Sequence, residues 1–509
     1  MKVVIIGGVA GGATAAARIR RLDEKAEIII FERSNYVSYA NCGLPYYIGD
    51  EITDKKNLTL ATPKSLWSRY RIDVRVKHEV VDIDSITKKV IVKDLENDIL
   101  FEESYDKLLL SPGAKAITLD FMNQPLKNVF TLRTVEDTYK IKDYITFSEP
   151  KNVAIIGGGF IGVEMAENIR KLGIDVTIIQ KDSQLLKIID KDMASFVHHH
   201  IKSKDVKVLL NSDVKDVFNV DDSVVVLLEN NKLEFDMVIL AIGVTPDNIL
   251  AKKAGLTLGS NGSIRVNGKM MTSNPDIYAV GDAVEITHNV LNKKMIVPLA
   301  GPANKEARVA ADNICGLESE YKGTLSSSVV KVFDMTVATT GITEEVAKNN
   351  NINYEKVILS PANHATYYPG ANIMNLKVLY EKHTLKILGA QAVGYDGVEK
   401  RIDVIATVMF SGGNALILKD LDLTYAPPYS SAKDPVNIAG FIIDNIEKGL
   451  VKQFDYNDIL ELKDREDVIL LDTRTIYEYS VAHASGFINI PLDELREKLY
   501  LLDKNKKYM

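Results

Sequence analysis

The stretch VVIIGGVAGG at residues 3–12 decides the fold, because it returns as VAIIGGGFIG at residues 153–162. Gly157 holds in the second copy the place that Gly7 holds in the first. Each copy reads as an apolar, mostly β-branched strand, a glycine-rich turn and a helical pattern, ATAAARIRRL in one and VEMAENIRKLG in the other. A second apolar strand follows, EIIIFE at 27–32 and DVTIIQ at 175–180. Two strand–helix–strand starts predict two parallel sheets covered by helices, since a crossover between parallel strands must run over a face of the sheet.

The glycines point to the ligand. Gly157, Gly159 and Gly162 satisfy G-x-G-x-x-G between strand and helix. The first makes a tight turn, the second lets backbone approach a pyrophosphate, the third lets the helix pack closely, and the free amides of the helix start attract the anion. In the first copy Gly7 and Gly12 keep their places and Gly8 and Gly11 flank them, but Val9 takes the middle position. Glu32, closing the second strand, is the acid expected on a ribose hydroxyl. The second copy has Gln180 there with Lys181 beside it, which leaves NADH and NADPH both open. Two dinucleotide sites in one chain imply a flavoprotein, holding FAD and supplied with hydride by a nicotinamide donor.

The rest of the chain sets limits. Hydrophobic residues at 46% and charged residues at 26% of 509 exclude a disordered or fibrous protein. A net charge of −7 gives no footprint for nucleic acid or an anionic membrane. No stretch reaches the roughly 18 apolar residues of a membrane span. The apolar N-terminus breaks into glycines rather than a cleavage site, so a cytoplasmic protein is expected. Two cysteines, Cys42 and Cys315, cannot build a disulfide framework or a four-thiolate metal centre. His198 to His200 point in different directions from one helix and are expected on the surface, so no metal site is expected.

Between the copies, VVDIDSITKKVIVKD and SYDKLLLSPGA read as strands with a turn, and Pro246 marks a boundary after FDMVILAIGV. IYAVGDAVE at 277–285 is a strand ending in Gly281 and Asp282, the latter reading equally as a ribityl contact or a helix cap. From about residue 325 the pattern becomes alternating strands followed by helices at 396–416 and 434–449. The expected organisation is a first dinucleotide domain in two segments, 1–113 and 244–324, a second at 114–243, a third domain at 325–449 and a short piece at 455–509.

Taken together, the paired fingerprints, VILAIGVTP and IYAVGD resemble the flavoprotein disulfide reductases with two dinucleotide-binding domains, over about residues 1–447. The resemblance implies an α/β fold with two Rossmann-like domains and an α+β dimerisation domain. Dithiol members carry C-x-x-x-x-C, whereas this chain reads SYANCGLP from Ser38, leaving Cys42 as a single thiol. Single-cysteine relatives include coenzyme A disulfide reductases, NADH peroxidases and NADH oxidases. Ala10 stands where the peroxidase and oxidase branch carries a histidine beside its sulfenic acid, and HATYYPG and LTYAPPYS resemble coenzyme A disulfide reductase motifs.

That branch implies Cys42, Tyr367 and Tyr425 as catalytic residues, the tyrosines arriving from the other subunit of a homodimer. It implies cofactor contacts at Gly7, Gly8, Gly11, Gly12, Glu32, Arg33, Arg133, Gly157, Gly159, Phe160, Ile161, Gly162, Glu164, Gly243, Asp282 and Ala300, with Phe160 and Glu164 near the nicotinamide. Arg18, Arg21, Ser38, Asn41 and Arg71 are implied contacts for coenzyme A. The implied reaction is reduction of coenzyme A disulfide, persulfide or polysulfide by NADH or NADPH, through a mixed disulfide of Cys42 with coenzyme A. The flavin and a helix dipole are expected to lower the Cys42 thiol pKa. Alternatives are an oxidase or peroxidase cycling Cys42 through a sulfenic acid, and a redox-sensing interaction protein. Cys315 reads as an inert packing residue.

The last segment, DTRTIYEYSVAHASGFINIP, resembles the opening half of a rhodanese domain, with Asp472, Arg474, Glu478, His483, Gly486, Asn489 and Pro491 at the family's spacing and Ala482 in place of a usual glycine. The sulfur-carrying cysteine of that family does not occur before Met509, so a truncated domain or docking remnant is expected. Its fusion to the reductase points to a persulfide or polysulfide substrate.

Overall fold

The structure, a computed structural model, describes residues 1–119, 126–462 and 464–509. Residues 120–125 of the expected second domain and residue 463 of the last segment lie outside the described residues. The chain divides into two compact units, residues 1–439 and 440–509, and the helix Pro435–Glu447 runs through the division.

The first copy of the repeat forms strand β1 (Lys2–Ile6), helix α1 (Ala10–Leu22) and strand β2 (Glu27–Glu32). The second forms β3 (Asn152–Ile156), α2 (Phe160–Lys171) and β4 (Asp175–Ile179). Val3, Val4 and Ile5 are fully buried, as are Val153, Ala154 and Ile155, because each strand lies mid-sheet with helices on its faces.

The duplication reaches well beyond the glycines. In the first sheet the order is Ile277–Ala279, Lys107–Leu110, β1, β2, Asp73–Val76, all parallel. In the second it is Val129–Thr131, Met237–Leu240, β3, β4, Val206–Leu209, again all parallel. Each unit also carries a three-stranded antiparallel meander, His78–Ser104 just before Lys107–Leu110 in one and Val214–Phe235 just before Met237–Leu240 in the other.

The two halves are joined by a ribbon in which Ala114–Ala116 pairs antiparallel with Val244–Pro246. Pro246 therefore ends a paired strand at the point where the chain returns to the first unit. Small residues let α1 lie against the helix Ala300–Ile314, where Thr14 bonds Asn304 at 2.6 Å and Arg18 pairs with Asp312 at 2.7 Å.

The alternating strands after residue 325 form a five-stranded antiparallel sheet in the order Ser328–Val332, Met335–Gly341, Ile387–Gly394, Asn375–Glu381, Tyr354–Leu359. Helix Val398–Phe410 packs on it. Lys377, fully buried in this sheet, reaches Asp190 at 3.0 Å and Asp192 at 2.8 Å, both at the start of the helix Lys191–Ser203, and also bonds Glu344. Burial would raise the Glu344 carboxyl, but hydrogen bonds from Lys356, Lys377 and Tyr354 and the charge of Lys377 hold it down to about 2.

The second unit has a three-stranded parallel sheet in the order Phe487–Asn489, Val468–Asp472, Lys507–Tyr508, with the short helices Tyr456–Leu462, Ile476–Val481 and Leu492–Leu495.

The ammonium group of Lys377 faces three carboxylates, so Lys377→Met takes the buried cation from Asp190 and Asp192 and leaves Glu344 with Lys356. Guanidinium unfolding at pH 7 is expected to show a loss of about 3–5 kcal/mol. Because Glu344 titrates at about 2 when folded against 4.5 for the free carboxyl, its share of the wild-type advantage is full above 4.5 and shrinks as the pH falls toward 2.

Candidate active site

The glycine turn creates the site by forcing close approach. A Cβ at Gly12 would lie 1.9 Å from the Gly7 carbonyl oxygen, and one at Gly162 would lie 2.0 Å from that of Gly157. Both positions therefore exclude any side chain, and each helix starts directly over its strand. Gly7 and Gly157 adopt φ of +91° and +107°, a region that favours glycine. The two helix caps, Val9 and Gly159, make no side-chain cap hydrogen bond, so first-turn amides remain free for an anion. Nothing lies within 4 Å of a Cβ built on Gly159. These features fit a pyrophosphate at both helix starts.

At the end of β2 the buried Glu32 accepts from the Gly8 amide at 2.9 Å and from the Ser34 amide at 2.9 Å. At the end of β4 Gln180 does the equivalent work, accepting from the Gly158 amide at 2.8 Å. The neutral residue thus copies the geometry of the acid without its charge.

A cavity of about 400 Å³ opens from the first sheet. Gly7, Gly11, Glu32, Arg33, Asn41, Cys42, Arg133, Asp282 and Ala300 line it, together with Ala10 and Tyr39. Arg133 pairs with Asp282 at 2.5 Å and donates to the Ala114 carbonyl at 3.2 Å. With its amide turned to satisfy both groups, Asn41 donates to the Arg133 carbonyl at 3.0 Å and accepts from Arg133 Nη1 at 3.1 Å. Arg33 pairs at 3.0 Å with Asp247, which Lys115 also reaches at 3.1 Å. A strand, Val284–His288, follows Asp282 rather than a helix, which removes the helix-cap reading.

Cys42 sits in the single helical turn Asn41–Gly43 ahead of the helix Leu44–Ile48, with its surface open to the cavity. The protein groups around the thiol act against the low pKa expected of it. Desolvation by the surrounding atoms pushes the thiol up, Glu164 and Asp282 add to the rise, and Arg133 opposes it. Glu164 is itself raised to about 7 by burial and by Glu167, against a hydrogen bond from the Tyr46 hydroxyl at 3.4 Å.

Other expected residues lie elsewhere. Tyr367 and Tyr425 bond each other through their hydroxyls at 2.8 Å, both exposed and neither lining the cavity of Cys42. Gly8 and Gly12 shape the turn from beneath, and Gly243 (φ +116°) accepts from the Ile117 amide at 3.0 Å in the ribbon. Phe160, Ile161 and Glu164 form the first turns of α2. Arg18 is committed to Asp312, Arg21 lies over Tyr70, and the exposed Arg71 lies over Trp67. The Ser38 amide donates to the Gly8 carbonyl at 2.8 Å. Cys315 caps the end of the helix Ala300–Ile314.

The histidine run departs from expectation. His200 is buried and reaches Asp334 at 2.9 Å, and His198 accepts from the Leu185 amide at 3.0 Å, leaving His199 exposed. In the second unit Arg474 pairs with Asp472 at 2.6 Å, Asn489 donates to the carbonyls of Asp472 and Arg474, Thr475 and Glu478 form a capping box, and His483 stacks on Tyr479 at 3.8 Å.

Two contributors escaped sequence reasoning. Arg20 is buried and donates to five backbone carbonyls, those of Asp23, Glu24, Ala26, Tyr70 and Arg71. Glu306 is buried and accepts from the Gly281 amide at 2.7 Å, beside Asp282, with its carboxyl raised to about 7 chiefly by burial. Its signal was available: an acid on the same helical face as Ala303, Ala307 and Ala310.

Two dinucleotide-type sheets, one opening onto a cysteine, define a flavoprotein oxidoreductase that draws on a nicotinamide dinucleotide. The chain belongs to the pyridine nucleotide-disulphide oxidoreductase family, whose main model matches residues 1–307 and whose dimerisation domain matches residues 327–435. It is 37% identical over 442 residues to coenzyme A disulfide reductase of Staphylococcus epidermidis, across 86% of this chain and 99% of that protein. The crystal structure of reduced Bacillus anthracis CoADR-RHD is 46% identical with a TM-score of 0.96, over 100% of this chain and 91% of that one. An NAD-dependent persulfide reductase from A. fulgidus is 35% identical with a TM-score of 0.94, over 100% of this chain and 93% of that one. Among the described residues no helix is long and apolar enough to cross a membrane.

Glu164 and Asp282 both oppose a negative sulfur. In protein stripped of FAD, the pH midpoint for alkylation of Cys42 by iodoacetamide is expected above that of an ordinary thiol, and Glu164→Gln is expected to lower it.

Proposed function

We propose that this enzyme reduces coenzyme A disulfide, or the persulfide or polysulfide of coenzyme A, with Cys42 as its single redox sulfur. The observation that carries the reading is the position of Cys42, opening into the cavity lined by Gly7, Gly11, Glu32 and Asp282. Kinship with a coenzyme A disulfide reductase and a persulfide reductase supports the sulfur chemistry.

FAD, when bound, supplies the two-electron relay between nicotinamide and sulfur. The chain's residues do the rest. Glu32 holds a ribose hydroxyl, and the amides at the start of α1 hold phosphate. Arg133 fixes Asp282 and Asn41 on the wall that also carries Cys42. The Cys42 thiolate attacks one sulfur of the substrate, forming a mixed disulfide and releasing the other sulfur as a thiolate. Two electrons then split the mixed disulfide and return both thiols. Arg18, Arg21, Ser38, Asn41 and Arg71 are the proposed coenzyme A contacts.

Tyr367 and Tyr425 would donate a proton to the departing thiolate. Because they pair with each other on an exposed surface and do not line the cavity of Cys42 in the same chain, we assign that role to the tyrosines of a second copy, as a homodimer supplies them. Ala10 lines the same cavity as Cys42 and offers no imidazole to a sulfenic acid, which disfavours the oxidase and peroxidase alternative. We read the segment after residue 455 as rhodanese-like, and the scarcity of cysteine as suited to a reducing cytoplasm.

Turnover of coenzyme A disulfide with NADH or NADPH is expected to fall to the uncatalysed level in Cys42→Ser, and kcat by about 10²-fold in Tyr425→Phe. Full turnover by Cys42→Ser, or faster consumption of oxygen or peroxide than of coenzyme A disulfide, overturns the reading.

A further inference from the structure

The two tyrosines that pair through their hydroxyls stand on separate connecting stretches. Tyr367 lies between the strands Tyr354–Leu359 and Asn375–Glu381, and Tyr425 lies ahead of the helix Pro435–Glu447. Exposed connections of this kind keep one arrangement only where the scaffold ties them down. Here the tie is Arg401, on the helix Val398–Phe410, with a side chain only 1% exposed. Its Nη2 reaches the Asn363 carbonyl at 2.9 Å on the Tyr367 stretch and Ser430 Oγ at 3.1 Å on the Tyr425 stretch. The same nitrogen pairs with the buried Asp434 at 3.0 Å, which also accepts from the Ser430 hydroxyl at 2.7 Å. Nη1 donates to the Gly397 carbonyl at 3.0 Å, and Gly397 leaves it room, since a Cβ there would lie 2.2 Å away.

A buried ion pair is a poor source of stability, because apolar residues of similar volume often serve as well. Its value is directional: a planar guanidinium holds several acceptors at fixed angles. These acceptors belong to the two stretches whose phenols meet. The Ala365 amide, two residues before Tyr367, donates to the Ser430 carbonyl at 3.0 Å, and the Ser430 amide donates to the carbonyl of Ala426, next to Tyr425, at 3.1 Å. A chain of short contacts thus runs from Arg401 to both tyrosines.

We propose that Arg401 is a positioning residue, clasping the two stretches in the arrangement in which the Tyr367 and Tyr425 hydroxyls meet and are presented to the sulfur site. Its importance for turnover rests on the proton-donor role given to these tyrosines in the proposed function.

The FAD-loaded full chain, labelled with fluorotyrosine, tests it by fluorine NMR and by turnover. The resonances of Tyr367 and Tyr425, assigned with Tyr367→Phe and Tyr425→Phe, are expected to shift in Arg401→Lys, which keeps the charge and loses the planar fork. With coenzyme A disulfide, Arg401→Lys is expected to lower kcat by about tenfold to 10²-fold, the usual cost of a misplaced group. The rate of FAD reduction by the nicotinamide nucleotide should stay unchanged, and adding Arg401→Lys to Tyr367→Phe/Tyr425→Phe should lower kcat no further. Ser430→Ala removes one link and keeps the ion pair, so it is expected to move the same resonances and kcat in the same direction by less, and it carries the test should Arg401→Lys fail to fold. Unmoved resonances, or a kcat loss that recurs in full in the double-Phe background, overturns the proposal. If the resonances stay put while Tyr425→Phe still loses turnover, this proposal alone fails; if they shift while the double-Phe variant turns over fully, the clasp stands and the tyrosines' role in the proposed function fails.

Discussion

The architecture depends on a contact that leaves no room for a side chain. A carbonyl oxygen in each turn, that of Gly7 or Gly157, sits where the Cβ of Gly12 or Gly162 would be. This lets the helix begin directly above its strand. Its unbonded amides then face the place where a phosphate belongs, and the end of the next strand falls where a residue can reach the ribose. A side chain at either glycine would push the helix away and disperse all of these groups together.

The fold was largely legible because this contact leaves a mark in sequence that the rest of the unit follows. The glycine pattern located both sheets, and the apolar runs gave their central strands. The meanders were less visible as a shared feature, since their strands are half-buried and their sequences have diverged, although the chain builds one in each unit.

The site was legible where chemistry demands a residue type and obscure where tertiary packing decides. Glu32 and Cys42 could be singled out from local sequence, and Gln180 from its place in the repeat. The state of the Cys42 thiol could not be read locally, because Glu164 is 122 positions away and Asp282 is further still. Likewise, the pairing of Arg18 with Asp312 and the burial of His200 come from neighbours that the fold supplies. Glu306 shows the complementary case, a residue with a detectable pattern whose purpose appears only when the Gly281 amide is seen beside it.

The ribbon of Ala114–Ala116 with Val244–Pro246 brings the two ends of the second dinucleotide unit side by side. A module with adjoining ends can enter a host chain by one insertion and leave the host's strand order untouched. The second unit, entered and left at one ribbon, can thus differ from the first at its rim, Gln180 against Glu32, without disturbing the first sheet.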